Sequence, residues 1–351
     1  MQNNIHLSEI KLSQLILHRI GNKNEDEGVR IAKSLFDLKD DMRGILLEYF
    51  LSGFKLEEAY KFDHETDLSM NEIYTYCQYI FDDKEQFYDQ SVNILKHLYE
   101  KSTHNKIKGG ELYVSYFEDC VVDDELVTAI GIFKAENKDT YLKLKLDEEE
   151  EWTLVYEEGT NISKLDKGCI IFNIYGEDGY RTVTVDLKSS DAKYWRDEFL
   201  MLTQIQDDNF HTKTYLDMCK KFGKQAFEEE DKNEQVNFLN KSLDYFNRKE
   251  EFSIEEFKEE VFEENVEQAQ MFENYKSDYQ ERQSIAEEDN FFISQPTVKK
   301  AKRSFRNAIQ LDTQMEIKIH SAQAQEEGHL ERGYDEDKKM NYYKVYFNTE
   351  K

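Results

Sequence analysis

The chain has 351 residues, with 74 Asp and Glu against 46 Lys and Arg, and a formal net charge of -28. A hydrophobic fraction of 39% with 22 Tyr and 23 Phe argues for a folded core and against intrinsic disorder. One proline and 14 glycines argue against a loop-rich or low-complexity chain, and no apolar run approaches the roughly 18 residues that spanning a membrane requires.

The opening stretch, MQNNIHLSEIKLSQ, shows neither a basic nor an apolar signal region, so a cytoplasmic protein is expected. Residues 8–20, rich in Ile and Leu and ending at Gly21-Asn22, predict a strand and turn. An acidic pair before an apolar-periodic run predicts a helix over 40–54, and residues 69–103 read as two more. Alternation then predicts strands over 109–117 and 125–133, joined by an acidic turn. The strictly alternating 141-YLKLKL-146 predicts a half-buried strand with Lys143 and Lys145 facing solvent. A hairpin is expected over 168–187, with Asp178-Gly179 in a loop longer than the two-residue kind.

From about Asp191 the period becomes helical and stays so to about Ala286. Residues 228–290 hold 21 acidic and 7 basic residues, a balance of -14, half the net charge of the chain. The pattern returns to strand in 315–320 and 341–347, joined by a polar loop over 321–339. The expected fold class is α+β: a mixed strand and helix portion over 1–190, an acidic helical region over 191–290, and a basic helix with a strand hairpin over 291–351.

Few residues carry catalytic signatures. There is no Walker A loop, no G-x-G-x-x-G and no G-x-S-x-G. Cys77, Cys120, Cys169 and Cys219 lie far apart among apolar neighbours, as buried reduced thiols do, and the eight histidines are scattered. A nuclease-like E-x-K, Glu316 to Lys318 after Asp312, recurs at four other places in this Glu- and Lys-rich chain and reads as alternating charge on a solvated strand. The consecutive acids of 147-DEEEEW-152 repel one another rather than converge on a calcium ion, and read as a solvated loop. No cofactor, no metal and no enzymatic activity are expected.

The exception to the acidic character is 295-QPTVKKAKRSFRNAIQ-310. No acid occurs between Asp289 and Asp312. With Pro296 in the first turn, residues 297–310 form an amphipathic helix. Val298, Ala301, Phe305, Ala308 and Ile309 share its apolar stripe. Lys299, Lys300, Arg303 and Arg306 lie away from that stripe and Lys302 flanks it. Such a face suits phosphate contacts, and equally suits docking on the acidic helices of 228–290.

Several stretches together resemble a bacterial nucleoid-associated protein family of the NdpA/YejK kind. They are 12-LSQLILHRIGN-22, 108-KGGELYVSYF-117, 125-ELVTAIGIF-133, 194-YWRDEFLML-202, 210-FHTKTYLDMCKKF-222 and the closing basic helix with 315-MEIKIH-320 and 341-NYYKVYF-347. The resemblance implies a protein of the cytoplasm and nucleoid that binds duplex DNA and has no established enzymatic activity. The DNA-contacting residues expected on charge are Lys299, Lys300, Lys302, Arg303 and Arg306, helped by Lys106 and Lys108. No base-reading motif is evident, so little sequence specificity is expected. The rival reading is an adaptor whose acidic helices, 228–290, bind basic DNA-processing proteins without touching DNA.

Overall fold

The computed structural model describes residues 4–104, 106–146, 151–186, 193–227, 232–263, 265–302, 305, 308–310, 315–318 and 329–349. The acidic run 147–150 and the cations Arg303 and Arg306 lie outside the described residues. The chain is α+β and divides after Ile205 into an amino-terminal unit, Asn3–Ile205, and a carboxy-terminal unit, Gln206–Lys351. The division falls beyond the change of composition near 190.

The amino-terminal unit contains strands β1 (Ile5–His6), β2 (Lys11–Ile20), β3 (Val29–Arg30), β4 (Tyr60–Phe62), β5 (Gly110–Val122) and β6 (Glu125–Ala135). It continues with β7 (Asp139–Leu146), β8 (Trp152–Gly159), β9 (Lys167–Phe172), β10 (Arg181–Asp186) and β11 (Leu202–Gln204). Its helices are α1 (Asp40–Leu51), α2 (Glu72–Asp82) and α3 (Phe87–Lys101), with a π-helical segment at Lys193–Leu200. Nine strands form one antiparallel sheet in the order β11-β4-β10-β9-β6-β5-β2-β3, with β1 on the far end of β5.

Alternation decides which face each residue serves. Ile130 and Ile132 of β6 and Cys169 and Ile171 of β9 pack with α2, α3 and Trp195. Their neighbours Ala129, Phe133, Ile170 and Phe172 pack with α1, where the Phe50 and Phe133 rings stack at 4.3 Å. Covered on both faces, β9 is buried throughout and reads as a continuous run. Asp123 and Asp124, with φ of 50° and 67°, form the acidic two-residue turn between β5 and β6. In the longer loop between β9 and β10, Gly179 has φ of 96°, and a Cβ there would meet the Phe62 carbonyl oxygen at 2.3 Å. No other residue fits.

The strand expected at 141–146 forms, but it is not half-buried. Among the described residues it pairs only with β8, and Leu142, Leu144, Leu146, Trp152, Leu154 and Tyr156 of this two-stranded ribbon stand in solvent.

In the carboxy-terminal unit the helices are α4 (Asp208–Ala226), α5 (Lys232–Arg248), α6 (Ile254–Phe262), α7 (Val266–Gln283) and α8 (Gln295–Lys302). A short antiparallel pair, β12 (Glu251–Ser253) and β13 (Asn290–Phe292), joins the chain before α6 to the chain after α7. The phenylalanines concentrate here: Phe222 of α4 stands edge-on to Phe272 of α7 at 5.1 Å, and Phe246 stacks on Phe252 at 5.4 Å. The four cysteines, three in the first unit and Cys219 here, are buried and unpaired. Burial pushes the thiols of Cys120 and Cys219 up to about 12, so they are inert at neutral pH.

Two expectations for the carboxy-terminal end are corrected. The described part of the basic helix is Gln295–Lys302, and Ala308–Gln310 is not helix but strand β14, paired with β15 (Glu316–Lys318). Ile309 is in register with Ile317 there, a pairing across the chain that helical spacing alone does not weigh. Among the described residues, the stretch 341–347 does not pair with 315–318. Strand β17 (Met340–Val345) instead pairs with β16 (Leu330–Asp335), which lies inside the expected loop. A short turn costs less chain entropy to close than a long loop.

The buried His18 of β2 gives this fold a pH dependence. Its Nδ1 accepts the Ala32 N–H at 3.1 Å, which leaves Nε2 to donate to Ser91 Oγ, also at 3.1 Å. Burial lowers its pKa from 6.5 to about 4. Between those values the unfolded chain takes up a proton that the folded chain refuses, so stability is complete above 6.5 and falls towards 4. The share of His18 is up to about 3 kcal/mol. A His18→Gln variant is expected to lose that share, seen as a flatter pH profile in urea unfolding.

Candidate nucleic-acid interface

The basic helix begins with a set of polar anchors. The Ser294 N–H donates to Thr212 Oγ1 at 3.0 Å, and Ser294 Oγ accepts the Thr297 N–H at 3.4 Å, as a helix cap does. The hydroxyls of Ser294 and Thr297 both donate to Asn209 Oδ1 on α4. Gln295 Nε2 donates to the carbonyls of Phe246 and Lys249, at 3.2 and 3.1 Å, where α5 ends. Pro296 follows in the first turn, where its missing N–H costs nothing.

One face of α8 is then buried. Val298 is fully enclosed and Phe305 nearly so, both in the aromatic core, with Ala301 packed beside them. The Phe305 N–H donates back to the Ala301 carbonyl at 3.2 Å. With those side chains turned inward, Lys299, Lys300 and Lys302 are exposed. Apolar contacts of Val298 and Ala301 and the Gln295 amide join α8 to its neighbours. Among the described residues, no ion pair joins Lys299 or Lys302 to a carboxylate of the acidic helices.

The acidic helices supply many cations for their own acids. Arg248 pairs with Asp244 and Glu260, Lys249 with Glu256 and Glu260, and Lys258 with Glu255 and Glu273. Hydrogen bonds from Lys249 and Arg248 hold the Glu260 carboxyl below its usual range.

One cation escaped the sequence reading. Lys220 of α4 places its Nζ 4.7 Å from the centre of the Phe305 ring, beside the end of α8, while also reaching Asp217 at 3.4 Å. Its only sequence signal is its position on a helix with Lys213 and Lys224 at related spacings. Packing, rather than period, brings it to the Phe305 ring.

Lys106 and Lys108 belong to the amino-terminal unit, so the expected residues fall into two groups. Both are exposed and flank Ile107, which is buried and whose carbonyl accepts from Asn22 Nδ2 at 2.8 Å. Lys108 Nζ donates to Asn137 Oδ1 at 3.0 Å. The Lys108 carbonyl accepts from the fully buried Lys134 Nζ at 2.6 Å. Lys134 also pairs with Glu136 at 2.8 Å and donates to the Tyr194 hydroxyl at 3.3 Å. Its register partner Lys167 is buried too and pairs with Asp186 at 2.9 Å. Burial lowers the pKa of Lys134, and the Glu136 carboxylate opposes that shift.

Glu316 and Lys318 of the E-x-K lie on β15, with their side chains, like Asp312, outside the described residues. Among the described residues no group of three or more His, Cys, Asp or Glu could hold a metal ion, and no helix is long and apolar enough to cross a membrane.

Fold and helix together define an α+β protein that carries a basic helix, anchored by one face, on an otherwise acidic chain. The family model of the nucleoid-associated protein YejK matches residues 16–339, and the chain belongs to that family. No curated protein matches it in sequence.

The buried Lys134–Glu136 pair makes a direct prediction about the Lys106–Lys108 loop. Lys134→Met strands a buried carboxylate and is expected to cost about 3–5 kcal/mol in urea unfolding. Adding Glu136→Gln is expected to restore much of that loss, because no buried charge is then left unpaired.

Proposed function

We propose that the chain binds duplex DNA through phosphate contacts made by the outward face of α8, with little sequence specificity, as its part in a nucleoid-associated role. The carrying observation is the one-sided burial of α8: Val298 is enclosed while Lys299, Lys300 and Lys302 are exposed. Arg303 and Arg306 add to the charge of the same acid-free stretch, and Lys106 and Lys108 are auxiliary contacts. Net charge does not forbid this. Charges beyond about 8 Å are screened at physiological salt, so a local cationic face meets phosphates on its own terms. The overall negative charge opposes long-range steering, and association is slower than for a basic protein.

No residue pattern points to base reading, and none to catalysis, so the protein acts by binding alone. The adaptor reading, in which 228–290 bind basic DNA-processing proteins, competes for the same cellular role. The ion pairs within α5–α7 occupy a few of these carboxylates, but 21 acids against 7 bases leave most of them to a basic partner, so binding measurements have to separate the two readings.

A salt series separates the two. Each phosphate contact contributes a slope of about -0.9 in log K against log salt, so five contacts give roughly -4.5. The parent is expected to show such a slope, and a folded variant with Lys299, Lys300, Arg303 and Arg306 changed to Glu is expected to lose nearly all binding. A parent that ignores duplex DNA even at low salt transfers the role to the acidic helices. Binding that survives the charge reversal removes α8 from the interface.

A further inference from the structure

The ribbon of β7 and β8 exposes a continuous apolar face. Its register pairs Leu142 with Tyr156, Leu144 with Leu154, and Leu146 with Trp152. Residues directly opposite, and residues two apart along a strand, point to the same side. All six therefore share one face, at relative exposures between 56% and 73%. The other face carries Lys143 and Lys145, both paired with Glu157. Among the described residues β7 and β8 pair only with each other, and a lone two-stranded ribbon is marginal in water.

We propose that this face is the interface of a homodimer, in which two ribbons pack face to face about a twofold axis. Two observations favour a second copy over another occupant. The first is the layout of the six residues, which is close to symmetric about the central Leu144–Leu154 pair. On one side lies a Leu–aromatic pair, Leu142 with Tyr156, and on the other a second one, Leu146 with Trp152. A twofold axis through the centre sets each of these pairs against the other pair of the second copy, so aromatic and aliphatic volumes match. Isologous contacts need this self-complementarity.

The second observation is area. Side chains of this size expose on the order of 100 Å² each, so the face offers roughly 600 Å². That is near the roughly 800 Å² per partner of a standard interface, and at the upper end of what monomers leave open. The six side chains carry no charge of their own, and Glu158, two residues beyond Tyr156 on the same side, stands exposed at the rim of the patch, so two copies of a chain with net charge -28 can meet over the six without burying an acid.

This charge gives the dimer a signature opposite to that of DNA binding. Added salt screens the repulsion between copies and strengthens the dimer, whereas it weakens contacts to phosphate.

The test is sedimentation of the full chain over a concentration series at low and high salt. The parent is expected to dimerise, more tightly at high salt. Leu144→Asp with Leu154→Asp is expected to raise the dissociation constant roughly 30-fold or more, as central interface residues do. Because both positions are exposed in the single chain, the fold is retained, and circular dichroism checks it. Thr153→Lys, on the opposite face, is expected to leave the dimer intact. In a Leu154→Cys variant the added thiol is the accessible one, since the four native cysteines are buried. A bis-maleimide long enough for the roughly 10 Å between packed sheets is expected to link two copies. A parent that sediments as a monomer throughout overturns the proposal and leaves the face to another partner. So does a dimer that the two aspartates leave unchanged.

Discussion

The burial of Val298 and Phe305 in the aromatic core decides what the basic stretch can be. Anchored by those two side chains and by Ser294 and Gln295, α8 has no freedom to turn. Its lysines then face away from the core because a helix with one side packed must present the other. Burying a lysine without a partner would cost several kcal/mol, and the sheet shows what such burial demands: Lys134 and Lys167 are each held by a carboxylate. On α8 no such partners are built for Lys299 or Lys302 among the described residues. Exposure is therefore the low-energy arrangement, and a local cationic surface on an acidic protein is its consequence.

Charge in this chain is organised on two length scales. Within α5–α7, acids and bases three or four residues apart or on neighbouring helices neutralise each other at contact distance. Between that region and any ligand, salt screens what remains. A net charge of -28 thus limits how fast a polyanion arrives more than how well a local helix holds it. The same repulsion acts on two copies of the chain, which is why the proposed dimer places the six uncharged side chains of the ribbon at its centre and Glu158 at the rim.

Much of the fold was legible because alternation and helical period report faces directly. The strands around the Asp123-Asp124 turn, the paired helices α2 and α3, and the long loop with Gly179 all follow from short-range chemistry. What was not legible depends on partners distant in sequence. Alternation in 141–146 identifies an apolar face but not whether anything covers it. Helical spacing carried the basic helix through Ala308 and Ile309, because it does not see that Ile309 has a strand partner in Ile317. In the candidate site, the lysines of 299–302 were readable from the absence of acids around them. Lys220 was not, since only the packing of Phe305 against α4 brings it near.

The most direct measurement is lysine reactivity by acetylation and mass spectrometry, with and without duplex DNA at low salt. If α8 is the contact element, Lys299, Lys300 and Lys302 are protected by DNA, while Lys143 and Lys145 on the ribbon keep their reactivity. Bound DNA that leaves those three lysines as reactive as in the free protein contradicts the assignment.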